Sequence, residues 1–181
     1  SSPFGASLRR ARRPPQRLHT PRPPLRGAHS EHIMAAALFP EQILGKDGPV
    51  NTAQALEGKK FVMIYFSAHW CPPCRGFTPQ LAKMYSSSAK EKEIEVVFVS
   101  SDRDEAGFQG YYAEMPWLAL PFSESSKKQE LSQKFGVQGI PMLVVLNADG
   151  SINTKDGRGK AAEFFGGSGG GGSGSGGCSL M

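Results

Sequence analysis

An α/β domain with a mixed central sheet is what this sequence predicts, and three observations carry that expectation. Phe61–Phe66 and Ile94–Val99 are short, apolar, β-prone runs, the pattern of strands buried on both faces. Between them Phe77, Leu81 and Met84 or Tyr85 recur at helical spacing. A strand, a helix and a strand joined by a crossover of this length form a parallel βαβ unit. Further on, the run 141–146 reads as a strand headed by a proline, a place where no ladder donor is needed. Asn147-Ala148-Asp149-Gly150 then turns the chain into a short last strand, Ser151–Thr154, so the sheet mixes parallel and antiparallel pairs.

The remaining elements follow from the same periodicities. A helix is expected over Glu105–Met115, with Phe108, Tyr111 or Tyr112 and Met115 inward and Pro116 as its stop. Another covers Ser126–Phe135. Residues 34–165 make the domain, and different compositions flank it. Residues 1–33 hold seven arginines, six prolines and a single acid, Glu31, with no apolar periodicity, which predicts a disordered leader. It reads either as part of an organellar targeting segment or as translated sequence upstream of a start at Met34. The prolines favour the second, since they spoil an amphipathic helix. Residues 166–177 are glycine and serine throughout, a flexible linker with a root-mean-square span of about 20 Å.

Charge and cysteine usage narrow the function. The net charge of +5 is concentrated in the leader, which alone carries +6 and leaves −1 for the other 148 residues. The basic balance therefore does not point to nucleic acid. No apolar stretch approaches the length of a membrane span. Three cysteines, two of them three residues apart, are too few and too clustered for a secreted disulfide scaffold. A reducing intracellular setting is expected, cytoplasmic or nuclear, with organellar targeting by residues 1–33 as the alternative.

The chemistry centres on Trp70-Cys71-Pro72-Pro73-Cys74. A strand ends at Phe66, Ser67-Ala68-His69-Trp70 turns, and a helix begins at Cys71. A sulfur there sits near unpaired helix N–H groups and the positive end of the helix dipole, which favour thiolate, the attacking species in disulfide exchange. Cys71 is thus the expected nucleophile. Cys74, one turn further in and shielded, is the expected resolving thiol. Pro72 and Pro73 suit the first helical turn and stiffen the loop. Arg75 follows, either lowering the thiol pKa and steering acidic substrates or simply solvated. Trp70 is placed to cover the dithiol and meet substrates, with a rim aromatic as the alternative; His69 is assigned no role. A structural zinc site needs two more ligands. The core offers only His69, so no metal is expected, and the dithiol needs no cofactor.

Taken together, Ser67-Ala68-His69-Trp70-Cys71-Pro72-Pro73-Cys74-Arg75, Gly76-Phe77-Thr78-Pro79-Gln80-Leu81, Val97-Phe98-Val99-Ser100-Ser101-Asp102, Glu114-Met115-Pro116-Trp117-Leu118-Ala119 and Gly136-Val137-Gln138-Gly139-Ile140-Pro141 resemble the nucleoredoxin and tryparedoxin branch of the thioredoxin superfamily, in consistent order from about residue 38 to 158. The resemblance implies a thioredoxin-like fold. It also implies a cis-proline at Pro141 against the dithiol, an Ile140 backbone that pairs with a substrate strand, and a helix kink at Pro79. Trp117 reads as a packing residue near the site. Two departures stand out. Tyr65 occupies the strand position where ordinary thioredoxins keep a buried acid that helps the resolving thiol lose or gain its proton. After the last hairpin only Gly159–Phe165 remains before the linker, so either the closing helix is very short or the sheet face is partly open.

The tail Cys178-Ser179-Leu180-Met181 fits a prenylation box, its terminal Met favouring farnesyl, although Ser179 departs from the usual aliphatic residue. The alternatives are a chance cysteine or a linker scar. One lipid chain would support only weak, reversible membrane association. The expected activity is reduction of disulfide-containing protein substrates by a monomer that a cellular thiol reductant or reductase recycles. The alternative is a redox-sensitive adaptor that holds a signalling partner without turnover.

Overall fold

The computed structural model describes residues 33–166 and 178–179. In chain order the elements are α1 (Ile33–Ala36), β1 (Gln42–Gly45), β2 (Gly48–Asn51), α2 (Thr52–Leu56), β3 (Phe61–Ser67), α3 (Pro72–Ser88), β4 (Ile94–Ser100) and α4 (Glu105–Tyr112). They continue with β5 (Leu118–Ala119), α5 (Ser125–Phe135), β6 (Gly139–Ile140), β7 (Met142–Asn147), β8 (Ile152–Thr154), α6 (Gly157–Phe165) and β9 (Cys178–Ser179). Seven strands form one sheet in the order β2-β1-β5-β4-β3-β7-β8. The expected βαβ unit is present: β3 and β4 pair in parallel from Phe61↔Ile94 to Ser67↔Ser100. β7 runs antiparallel to β3, and β8 antiparallel to β7, so the sheet is mixed. Separately, β6 pairs antiparallel with β9.

β3 and β4 are the centre of the sheet. All seven β4 residues are buried, and so are Val62 to Ser67 of β3, as their unbroken apolar runs require of strands covered on both faces. Alternation divides their side chains between two helical layers. On one face Tyr65 meets Phe77 of α3, and Phe98 stacks on Phe108 of α4. α6 closes the same face, with Phe164 edge-on to Phe61 at 5.1 Å. On the other face Phe66 packs against Phe135 of α5. Trp117 is buried with its ring edge-on to Tyr65 and Tyr85, so it acts as a packing residue. One buried carboxylate lies within β4: Glu95 accepts from the Tyr85 hydroxyl at 2.6 Å and pairs with Lys59 at 3.0 Å.

Element ends follow their local chemistry. α4 starts at Asp104, whose Oδ1 accepts the Gly107 N–H, and stops at Tyr112, three residues short of the expected Met115. The chain leaves the helix ahead of Pro116, and Met115 still reaches the core. α5 ends on Gly136 at φ 67°, the left-handed cap that glycine accepts without strain. The β1–β2 hairpin is not marked by a β-branched run. Its signal is the Asp47-Gly48 pair, where Gly48 takes φ 124°.

The closing helix is longer than the sequence suggested. α6 begins at Gly157, because Asp156 accepts the Gly159 N–H and caps it two residues earlier than expected. Its first residue presses against β7, where a Cβ on Gly157 would lie 2.6 Å from the Leu143 carbonyl oxygen and 2.8 Å from Val145 Cγ2. Gly157→Ala is therefore expected to destabilise the domain by about 2–3 kcal/mol, because a backbone carbonyl in the sheet cannot step aside. Alanine's helix propensity, worth about 1 kcal/mol, does not offset this. Gly110→Ala, on the exposed side of α4 with nothing near its Cβ, should instead stabilise by about 0.5–1 kcal/mol. Urea denaturation of the two variants checks the opposite signs.

Candidate active site

The site is built where β3 hands the chain to α3. Cys71 is the N-cap, in extended conformation, and Pro72 and Pro73 take the first two helical positions, where a missing N–H costs nothing. The Cys71 N–H donates to the Ala68 carbonyl at 3.2 Å, and its carbonyl accepts the Arg75 N–H at 3.1 Å. Cys74 lies one turn inside α3. The two cysteines are not joined in a disulfide, and both are fully buried. Cys71 Sγ donates to the Ile140 carbonyl at 3.8 Å, which ties the dithiol to β6. The Ile140–Pro141 peptide is cis, as the resemblance implies, and both residues are buried.

The other expected residues are distributed around this pair. Trp70 is on the rim, 38% exposed, with its Nε1 donating to the Ser101 carbonyl at 3.0 Å and the Arg103 guanidinium 6.0 Å from its ring. Pro72 and Arg75 face solvent, and Pro73 is half-buried. Pro79 sits within α3, which runs through it to Ser88. The ring of His69 lies 5.5 Å from that of Tyr111. The backbone of Cys178 pairs with Ile140 through β9, while its side chain and the rest of the C-terminal box, Leu180 and Met181, lie outside the described residues, as do residues 1–32. Among the described residues no three His, Cys, Asp or Glu side chains converge on a metal-sized site. No described helix is long and apolar enough to cross a membrane.

Two features of the site were not read from the sequence. Asp102, buried just past β4, accepts the His69 N–H at 2.8 Å and the Ser100 hydroxyl at 2.8 Å. It thereby clasps the turn that delivers Trp70 and Cys71. The second is a cluster of four buried hydroxyls. Tyr65 contacts Thr78 at 2.9 Å and Ser67 at 3.0 Å, and Tyr111 contacts both Thr78 and Ser67. Burial pushes the Tyr65 phenol up, and neighbouring Tyr111 and Cys74 act in the same direction. Burial likewise raises Tyr111. Position 65 thus holds a neutral phenol, hydrogen-bonded within the cluster. It supplies hydrogen bonds beneath the active-site helix and no carboxylate base. Signals existed in the run Ser100-Ser101-Asp102 and in the polar Thr78 on the apolar face of α3. Neither reveals its partner without the fold.

A cavity of about 540 Å³ lies at the far end of α3, lined by Glu57, Lys59, Tyr85 and Glu93 among others, away from the dithiol. The dithiol lies at the opposite, N-terminal end of α3, buried beside β6.

Comparison with known proteins agrees with this arrangement. The thioredoxin-like family profile matches residues 58–152. The chain is 50% identical over 117 residues to probable nucleoredoxin 1 of Arabidopsis thaliana, an alignment covering 64% of this chain and 20% of that protein. It is 51% identical over 107 residues to the tryparedoxin of Trypanosoma brucei brucei, covering 59% of this chain and 73% of the relative. The solved structure of tryparedoxin from Trypanosoma brucei superposes with a TM-score of 0.66 at 45% identity, covering 71% of this chain and 90% of that one. The chain thus spans only about a fifth of the plant nucleoredoxin but most of a tryparedoxin. A mixed sheet with a Cys-Pro-Pro-Cys turn at a helix start, closed by a cis-proline, places this chain in the thioredoxin-like family, in its nucleoredoxin and tryparedoxin branch.

Proposed function

We propose that this thiol oxidoreductase reduces protein disulfides, with Cys71 as nucleophile and Cys74 as resolving thiol. The observation that carries the reading is the position of Cys71: it caps α3 and lies 3.8 Å from the Ile140 carbonyl, on a two-residue strand edge. The positive end of the helix favours the attacking thiolate. An extended peptide that pairs along that edge brings its own disulfide alongside.

In the reaction, Cys71 thiolate attacks one sulfur of the substrate disulfide. The other substrate sulfur leaves as thiolate and a mixed disulfide forms. Cys74 then attacks Cys71, the substrate's second thiolate departs, and the enzyme is left as the Cys71–Cys74 disulfide. Two electrons have passed to the substrate, and an external thiol reductant returns them. Trp70, exposed beside the dithiol, offers the substrate an apolar surface.

The test is insulin-disulfide reduction with dithiothreitol as the electron source. The wild-type chain should turn over many equivalents. Cys74→Ser should stop after one attack and accumulate a mixed disulfide with the substrate, seen as a mass adduct on Cys71. A wild-type rate equal to the uncatalysed one would remove the reductase reading.

A further inference from the structure

The two-residue strand β6 stands apart from the main sheet, and among the described residues its partner is the chain's own C-terminal segment. The register is Gly139↔Ser179 and Ile140↔Cys178, antiparallel. Directly opposed residues of such a pair have Cα atoms about 5 Å apart. Ile140 is also the residue whose carbonyl accepts the Cys71 thiol at 3.8 Å. One residue of β6 is therefore shared by the two thiol-bearing positions, 71 and 178. Cys71 is fully buried beside this edge. Twelve glycine and serine residues, 166–177, separate α6 from Cys178.

The geometry points to Cys178–Ser179 as an internal ligand of the strand edge beside the dithiol, with Cys178 as a third exchanging thiol for Cys71. This inference rests on the reductase reading for the oxidised form it consumes. In that form the Cys178 thiolate, having given its proton to solvent, attacks Cys71 Sγ. The Cys71–Cys74 bond breaks as the Cys71–Cys178 bond forms, and Cys74 leaves as thiolate and takes up a proton. The number of disulfides is unchanged, so no oxidant or reductant enters. While the tail is bound it competes with an incoming substrate strand for the same backbone groups, and the oxidised domain is held in a self-linked form until a reductant releases it.

The experiment uses full-length Cys74→Ser, in which Cys71 and Cys178 are the only thiols. It is oxidised with one equivalent of diamide, which accepts the two electrons and two protons released. The expected product is a monomer that has lost both thiols, with the Cys71 peptide linked to the C-terminal peptide by mass spectrometry, formed at a rate independent of protein concentration. A flexible tether alone also raises the local concentration of Cys178. The added variant Ser179→Pro isolates the strand pairing, because proline removes a backbone donor from β9 and leaves the tether and both thiols intact. It should slow closure at least about fivefold. Equal rates with and without proline at 179, concentration-dependent dimers, or thiols that persist would each overturn the proposal. These readouts follow thiols rather than turnover. Closure with an inactive wild type would sink only the reductase reading, and turnover without closure only the tail.

Discussion

Cys71→Ser is expected to lower the rate of disulfide reduction by more than about a thousandfold, roughly 4 kcal/mol of barrier, with little change in stability. The asymmetry follows from the site. A serine hydroxyl is hardly ionised at neutral pH and does not open a sulfur–sulfur bond, so no mixed disulfide forms. Structurally it is a mild change. The residue is an N-cap, where serine is a favoured type. Its hydroxyl can also donate to the Ile140 carbonyl that now receives the thiol. Insulin reduction should therefore fall to background while the thermal midpoint moves by no more than a few degrees. This differs in kind from Cys74→Ser, which leaves the first attack intact. A Cys71→Ser protein that still traps substrate would mean that the nucleophile lies elsewhere.

Alkali is expected to unfold the domain steeply above pH 10. All four tyrosines of the chain, Tyr65, Tyr85, Tyr111 and Tyr112, have phenols raised above their ordinary value, each chiefly by burial; Tyr112 is pushed up to about 12. A negative charge on Glu95 adds to the effect at Tyr85 and Tyr112. The unfolded chain releases these protons near pH 10, whereas the folded one keeps them. The native state therefore binds more protons, and stability falls as pH rises. The full contribution is present below pH 10. Above it each tyrosine costs up to about 1.4 kcal/mol per pH unit until its folded value is reached, together about 4 kcal/mol at pH 11 for Tyr65, Tyr85 and Tyr112, with Tyr111 adding in the same direction. That is comparable to the whole stability of a small domain. Tyrosinate absorbance should rise in one cooperative step that coincides with loss of the circular-dichroism signal. Gradual ionisation at pH 10 with the fold intact would show that the phenols are not held this way.

The parts legible in the sequence are those whose physics is local. Strands β3 and β4 announced themselves as unbroken apolar runs because both faces are covered. The start of α3 was readable from Pro72-Pro73, since a first turn tolerates missing donors. Family likeness added the cis-proline, which spacing alone leaves as an ordinary strand-entry residue. The hairpin β1–β2 is marked in the sequence by Asp47-Gly48 alone, because its short flanking segments lack a strong pattern. The onset of α6 lies two residues ahead of the expected segment, because its cap is the Asp156 side chain accepting the Gly159 N–H rather than a periodicity.

By itself, then, the sequence determined the α/β class, the central βαβ unit and the placement of the dithiol at a helix start. Each is written in patterns local to one element: an apolar run, a helical spacing, or prolines at a helix start. Tertiary structure alone decided which distant groups meet. It brought together hydroxyls at positions 65, 67, 78 and 111 into one buried cluster, and used Asp102 to hold the backbone of His69. It also paired the last cysteine's backbone with Ile140 across the fold. Hydrogen bonds of this kind join groups far apart in the chain, and their partners are chosen by sheet register and helix packing, which no local pattern encodes.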